Sequence, residues 1–173
     1  MTDPSAPLPP SPASEVRGDP LDAVVALARE QSAKVMRKVP LLGTVSWLML
    51  ASQSTRHALL SDLEWRVMPP LMLNQAKVYL RDETPVAFVS WARLSPEVAR
   101  RFRCLPHRLT PADWHSGEEF WVVDLLAPFG GAREVMKDLR ENVLPGQVVR
   151  QLALAGEPEA EVFTWPAAPA GTA

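Results

Sequence analysis

The sequence predicts an α/β domain of the α+β kind, in which helices pack against a mostly antiparallel central sheet. Apolar residues recur at helical spacing as far as residue 68, and beyond it the spacing becomes that of strands. Two strand-like runs are separated by the turn residues 82–85, which predicts a hairpin. A third run, 119–126, is almost continuously apolar, as in a strand covered on both faces.

The length and the composition at the chain ends predict one folded domain, spanning residues 19–165 of the 173. Residues 1–18 are rich in proline, serine and alanine, so they cannot bury enough apolar area to offset the entropy of ordering. We therefore expect a flexible arm there, and a flexible tail over residues 166–173 for the same reason.

The composition argues against several classes of function. A net charge of −2 is unlike that of a nucleic-acid-binding domain, which needs basic surface to neutralise phosphates. No apolar run approaches the roughly 20 residues that span a bilayer. Cys104 is the single cysteine, which excludes an internal disulfide and a multi-cysteine metal site and fits a reducing cytoplasm.

Two helices are predicted in the first 54 residues. Asp19 can cap the first helix, Pro20 suits its first position, and Pro40 is expected to end it. The second should extend from about Gly43 to Ser54.

A third helix should begin at a capping box formed by Ser61 and Glu64. Pro69 and Pro70 are expected to stop or kink it. The remaining predicted elements are strands at 76–81 and 86–92, short helices beginning at Ser95-Pro96 and at Thr110-Pro111, a strand at 119–126, a helix at 132–142, and strands at 147–154 and 161–165.

Several short segments share their residues and spacing with one protein family. They are Gly43–Leu48, Arg81-Asp82, Pro85–Phe88, Ser90–Ser95, Asp113-Trp114, Ser116-Gly117, and Trp121–Asp124 followed by Ala127–Gly130. The pattern runs without a gap from Trp47 to Gly130, inside a motif core of residues 43–131. In these segments the chain resembles the acyltransferases that activate repeats-in-toxin cytolysins, the haemolysin-activating type.

The resemblance implies a fold related to the Gcn5-type acetyltransferases and a cytoplasmic enzyme that is often a homodimer. Such an enzyme takes a fatty acyl group from acyl carrier protein and places it on the ε-amine of an internal lysine of a protoxin. No metal and no permanently bound cofactor are expected. The serine, histidine and aspartate that the family uses fall on Ser52, Thr55 and Asp124 of this sequence.

Thr55 stands at the family's histidine position, so another residue would have to act as the catalytic base. The attacking lysine must be neutral, although a free lysine has a pKa of about 10.4, so a base has to take its proton. A threonine hydroxyl does not titrate in that range. His57 is the nearest replacement, either as a base turned towards Asp124 or as an ordinary surface histidine. His107 and His115, in polar loops, are weaker candidates.

The other candidate residues each have a structural alternative. Asp124 either orients the base or bonds nearby backbone amides. Ser52 has either a functional role, in which it orients substrate or stabilises an oxyanion, or a structural one, in which it caps the end of a helix. Gly130 and Gly131, ahead of a helix, either bind the phosphate of the carrier's phosphopantetheine or form a tight turn.

Two functions therefore remain open at the level of sequence. The first is an active protein-lysine acyltransferase whose site is rearranged around His57 and Asp124. The second is a degenerate member that binds acyl carrier protein or a target protein without transferring an acyl group. The basic cluster Arg100, Arg101 and Arg103 is either a solvated helix face or a docking patch for acidic acyl carrier protein.

Overall fold

The structure, a computed structural model, describes residues 20–153 and 159–168, so the expected arm at 1–18 and most of the expected tail lie outside the described residues. The chain separates into two compact units, residues 1–34 and 35–173. In the first unit, the described residues are the beginning of a long helix, where Lys34 forms an ion pair of 2.9 Å with Glu30.

That helix, α1, runs over Pro20–Ala51 and continues through Pro40. The prediction that Pro40 ends a first helix is therefore wrong. A proline removes one backbone hydrogen bond, but the helix persists because its last turns are anchored in the core by Val45 and Leu48, both with 0% exposure. The Thr44 hydroxyl also donates to the Pro40 carbonyl at 3.0 Å, within the turn that follows the proline.

The next helix, α2, is short and covers Asp62–Arg66. The predicted capping box is wrong, because Ser61 has helical backbone angles and its side chain makes no capping hydrogen bond. The first helical residue, Asp62, makes other bonds: its carboxylate accepts from the Leu59 amide at 2.9 Å and from the Trp65 indole at 3.0 Å. The carboxylate of Asp62 thus ties the first turn of α2 to the residues that precede it, and α2 has no side-chain cap.

A separate helix, α3, covers Met68–Met72. Pro69 and Pro70 lie in its first turn, where the missing N–H groups would have had no partner within the helix. The two prolines thus interrupt the predicted third helix and begin a new one. Both prolines are buried.

Five strands form one sheet in the order β1-β2-β3-β4-β5. Their bounds are β1 Ala76–Arg81, β2 Thr84–Leu94, β3 Glu119–Leu126, β4 Val149–Ala153 and β5 Glu161–Trp165. Neighbouring strands are antiparallel except β3 and β4, which are parallel. The predicted α+β class with a mostly antiparallel sheet is confirmed, and the arrangement is consistent with the Gcn5-type fold that the resemblance implies.

Asp82 and Glu83 form the two-residue turn of the β1–β2 hairpin, with φ of 49° and 64°. A positive φ at both positions matches the right-handed twist of the strands. The hairpin was predicted, although the turn is shorter than the four residues 82–85 because Thr84 already pairs with Arg81.

Two further helices were predicted and are confirmed. Helix α4 covers Pro96–Arg103, and the Ser95 hydroxyl caps it by accepting from the Val98 amide at 3.3 Å. Helix α5 covers Ala132–Asp138 and continues as a π-helical turn, Leu139–Val143.

The predicted helix after Thr110 is absent from the described chain, where residues 111–114 form turns. The Asp113 carboxylate accepts from the Thr110 amide at 2.7 Å and from its hydroxyl at 2.8 Å. These local bonds close a turn that sends Trp114 into the core with 0% exposure.

The core occupies both faces of the sheet. Along β2, Ala87 and Val89 belong to the cluster that includes residues of α5, while Ala92 and Leu94 belong to the cluster that includes residues of α4. Phe88 packs in a third cluster with the end of α1 and with α3. None of the described helices combines the length and the apolar character that a membrane span requires.

Candidate active site

A cleft opens where the parallel strands β3 and β4 separate. The two strands pair only from Phe120 and Val149 to Val122 and Gln151, whereas β3 continues to Leu126. The cleft has a volume of about 570 Å³. Its polar lining residues include Asp62, Arg66, His107, Arg108, Asp124 and Gln151.

Asp124 reaches this cleft from a bulge in β3. Ser90 pairs with Asp124 but the next residue, Trp91, pairs with Val122, so Val123 is the extra residue on β3. A bulge of this kind re-aims the side chains beside it. Asp124 is 5% exposed and its carboxylate contacts α2.

Arg66, the last residue of α2, is the partner of that carboxylate. Its Nε donates to Oδ1 and Oδ2 of Asp124 at 2.9 and 2.8 Å, and its Nη2 also donates to Oδ1. Burial by itself would lower the pKa of Arg66, but the hydrogen bonds and charge of Asp124 outweigh it and raise that pKa. An aspartate on an apolar strand was expected to need a partner, yet nothing in the sequence selects Arg66 among the arginines.

Thr55 is occupied by a structural contact. It is 3% exposed, and its hydroxyl donates to the Met49 carbonyl at 2.8 Å, near the end of α1. It lines a small apolar pocket of about 270 Å³ with Met49 and Leu63, and it is not among the described residues that line the cleft.

The structure does not bring His57 to Asp124. His57 is exposed in the turn that follows α1, and no hydrogen bond joins its ring to another described residue. Ser52 is 8% exposed and closes the end of α1, where its amide donates to the Leu48 carbonyl at 3.0 Å. Within the described ranges, neither of these two residues lines the cleft.

Gly130 and Gly131 lie in a different pocket, of about 590 Å³, beside the β1–β2 hairpin. Their φ angles of 90° and 86° require a residue without a Cβ, as expected for a tight turn. Asp138 lines the same pocket; burial raises its pKa, but hydrogen bonds from Lys77, Tyr79 and Asn142 outweigh burial and lower it to about 2. Its negative charge is balanced by Lys77, whose Nζ lies 2.6 Å from Oδ2 of Asp138.

The basic cluster of α4 is partly neutralised. Arg101 pairs with Asp113 at 2.6 Å and Arg103 pairs with Glu159 at 2.5 Å. Arg100 is exposed, and the described part of the chain offers it no ion-pair partner.

Comparison with known proteins identifies one family and several similar proteins. The sequence profile described as the RTX toxin acyltransferase family matches residues 34–166. The chain is 34% identical over 119 residues to the lysine-acyltransferase RtxC of Vibrio cholerae, which covers 66% of this chain and 77% of that protein.

Two further relatives extend this comparison. The RTX-I toxin-activating lysine-acyltransferase ApxIC of Actinobacillus pleuropneumoniae is 34% identical over 130 residues, 75% of this chain and 74% of its own. An uncharacterized protein of Synechocystis sp. is 31% identical over 116 residues, 66% of this chain and 79% of its own.

Proposed function

Because this chain belongs to the RTX toxin acyltransferase family, we propose that it is a protein-lysine fatty acyltransferase that uses acyl carrier protein as its acyl donor. Its relatives are named as lysine acyltransferases and, in Escherichia coli, as a protein-lysine myristoyltransferase, so the chain is assigned to the acyltransferases. The observation that carries the proposal is the family match over residues 34–166. The match includes Asp124, the residue at the family's aspartate position, and this residue lines the cleft.

The size and the lining of the cleft support the proposal. Its volume of about 570 Å³ falls in the usual range for small-molecule sites. Val122, Leu126 and Leu152 provide apolar surface for an acyl chain, and Arg66 and Asp124 provide polar groups near the place where the strands separate. An apolar wall with a few convergent polar groups is typical of a site that must hold a lipid chain and orient a reacting carbonyl.

The donor is proposed to approach from the side of α4. An acyl carrier protein is acidic, and α4 presents three arginines in its last turn. Arg100 is the one whose side chain is not engaged with a described carboxylate. We place the reaction in the cytoplasm, where acyl carrier protein occurs.

The acceptor is proposed to be an internal lysine of a protein that resembles an RTX protoxin. The name of the relative from Actinobacillus pleuropneumoniae refers to a toxin, and that of the relative from Synechocystis does not. The partner of this chain therefore need not be a cytolysin. The homodimer that the resemblance implies stays a prediction.

A second candidate function is that of a degenerate member that binds carrier or target without transfer. Thr55 favours it, because this residue at the family's histidine position is buried and hydrogen-bonded to a carbonyl. His57 favours it as well, since it lies in solvent away from the cleft.

The test is incubation with myristoyl-acyl carrier protein and a candidate partner protein, followed by intact mass measurement. A mass gain of one acyl group that is lost in Asp124→Asn but kept in Asp82→Asn, the same substitution in an exposed turn, supports the acyltransferase. No gain with the wild type, together with a gain in Thr55→His, contradicts an active enzyme and supports the degenerate member.

A further inference from the structure

His107 is the histidine that the structure places in the cleft. It is half-buried and lines the same cavity as Arg66 and Asp124. His57 and His115 are both exposed, and neither is among the described residues lining that cavity. Histidine is the residue type best suited to accept and return a proton near neutral pH.

The ring of His107 is held in one orientation by helix α4. Its Nδ1 lies 3.0 Å from the carbonyl oxygen of Phe102, which is 3% exposed. A carbonyl oxygen only accepts, so the hydrogen must be on Nδ1. In the neutral ring Nε2 then carries the lone pair, and no described protein group bonds to it. Catalytic bases are commonly oriented through their second nitrogen in this way.

The backbone of His107 is also fixed by its surroundings. Its φ is 54°, a left-handed value that non-glycine residues adopt at a cost of about 1 kcal/mol or more. The His107 amide donates to the Cys104 carbonyl at 2.9 Å, which closes the turn after α4. The ring and the backbone of His107 are thus both bonded to carbonyls at the end of α4.

The charged groups around the cleft are not free to act as the base. Arg66 and Arg108 remain cationic and only donate. Asp124 is engaged by Arg66 through both carboxylate oxygens. Asp62 is engaged by Arg108 at 2.7 Å, besides its bonds to Trp65 and Leu59. Nε2 of His107 is the remaining basic atom on a titratable side chain that lines the cleft in the described ranges.

We propose that His107 is the general base of acyl transfer in this chain and takes the place of the histidine missing at position 55; this assignment rests on the function proposed above. The lysine Nζ attacks the thioester carbonyl carbon, so a C–N bond forms and the C–S bond breaks. The lysine enters as the neutral amine, its ammonium proton having gone to solvent, and Nε2 of His107 accepts the one further proton that the nitrogen loses as the amide forms. The same nitrogen then returns it to the departing thiolate of phosphopantetheine, which leaves as a thiol.

The substitution that tests this role is His107→Asn. The asparagine amide nitrogen takes the place of Nδ1 and can still donate to the Phe102 carbonyl, and asparagine tolerates a left-handed φ. The variant therefore keeps the structural contacts and lacks the base. The assay uses myristoyl-acyl carrier protein with Nα-acetyl-lysine methylamide, and follows amide formation and thioester loss by mass.

We expect kcat to fall by about 100-fold or more in His107→Asn, the usual contribution of a general base. Towards acid pH the wild-type rate should fall more steeply than the fraction of neutral amine, because the base must be unprotonated as well, whereas the residual rate of the variant should follow the neutral amine alone. Added imidazole should restore part of the rate in His107→Gly, which also suits the left-handed backbone. A residue that only supports the loop would show neither the changed pH profile nor the rescue.

His115→Asn is the matched control, because it removes an exposed histidine outside the cleft and should keep the wild-type rate. An active wild type with an equally active His107→Asn would overturn this assignment and leave the proposed function intact. Loss of rate in His57→Asn instead would move the base to His57. A wild type that forms no amide and loses no thioester, both with this small acceptor and with the candidate partner protein, would overturn the proposed function and this assignment together.

Discussion

Arg66 holds Asp124 in a two-pronged pair that joins α2 to β3 across 58 positions of sequence. The arginine Nε donates to both carboxylate oxygens, at 2.9 and 2.8 Å, and its side chain is 24% exposed against 5% for the aspartate. Because a guanidinium and a carboxylate joined by two or more hydrogen bonds cannot rotate freely, the pair fixes the orientation of the two groups as well as the distance between them. The carboxylate at the family's aspartate position is therefore held in one position, and its negative charge is balanced by the charge of Arg66.

Replacement of Arg66 should destabilise the fold. In Arg66→Ala the Asp124 carboxylate stays buried without its cation, and loss of one partner of a buried pair costs about 3 kcal/mol. Guanidinium unfolding, with the free energy extrapolated to water, measures the difference.

Arg108→Ala is the control for that prediction. Arg108 pairs with Asp62 at 2.7 Å, but its side chain is 54% exposed, so the loss should be at most about 1 kcal/mol. Equal losses in the two variants would contradict the view that burial of Asp124 decides the cost.

The hydroxyl of Thr55 should contribute more to the free energy of unfolding than an exposed threonine hydroxyl does. Thr55→Val keeps the shape and deletes the donor to the Met49 carbonyl, at an expected cost of about 1 kcal/mol. In Thr44→Val the lost bond to the Pro40 carbonyl lies where water can replace it, so we expect less than about 0.5 kcal/mol. Thermal unfolding of the two variants side by side tests this; a larger effect at Thr44 would refute it.

Gly117 and Gly43 should respond in opposite directions to alanine. A Cβ on Gly117 would lie 2.4 Å from the Ser95 amide nitrogen and 2.5 Å from the Leu94 carbonyl oxygen. Backbone atoms cannot move aside easily, so Gly117→Ala should destabilise by about 3 kcal/mol or more.

At Gly43, inside α1, nothing lies within 4 Å of the added carbon. Gly43→Ala should stabilise by about 0.5–1 kcal/mol, because alanine restricts the unfolded chain and favours helix. Denaturant midpoints measure both changes. Stabilisation by Gly117→Ala would contradict the packing described around that residue.

Asp138 should make the fold sensitive to acid. Its pKa in the folded chain is about 2, below its ordinary 3.8, because hydrogen bonds led by that from Lys77 outweigh burial. A carboxyl whose pKa is lowered by folding stabilises the protein above its unfolded pKa, and this stabilisation is lost as the pH falls from about 4 through about 2.

The free energy of unfolding should therefore fall less steeply with acid in Asp138→Asn than in the wild type over that interval. Tyr79→Phe removes one of the donors to Asp138, at 2.6 Å, and should give an intermediate slope. Urea unfolding at a series of pH values supplies the slopes. Superimposable curves for the wild type and Asp138→Asn would count against this interpretation.

The strands and the later helices could be predicted because their signals are local. Apolar spacing places β1 and β3 where they occur, and Ser95 caps α4 as its position ahead of Pro96 indicates. The errors arose where a local signal competed with packing. Pro40 would be expected to break a helix, but the chain stays helical after it because Val45 and Leu48 are buried in the core.

The candidate site was predictable only in part. Asp124 stands out in sequence as an acidic residue in an apolar strand, and the structure gives it the buried position and the partner that this requires. Its partner Arg66 and the placement of His107 in the cleft depend on how α2 and the loop after α4 meet β3. No periodicity or motif carries that information.

The sequence by itself determined the family, the α+β class and the threonine at position 55, because these are properties of residue types and their spacing along one chain. Only the tertiary structure decided that Thr55 is committed to Met49, that His57 lies in solvent, and that His107 lies in a cleft with Asp124 and Arg66. The reason is physical: a side chain's burial and partners are set by segments distant in sequence, which meet only when the sheet and its helices have packed.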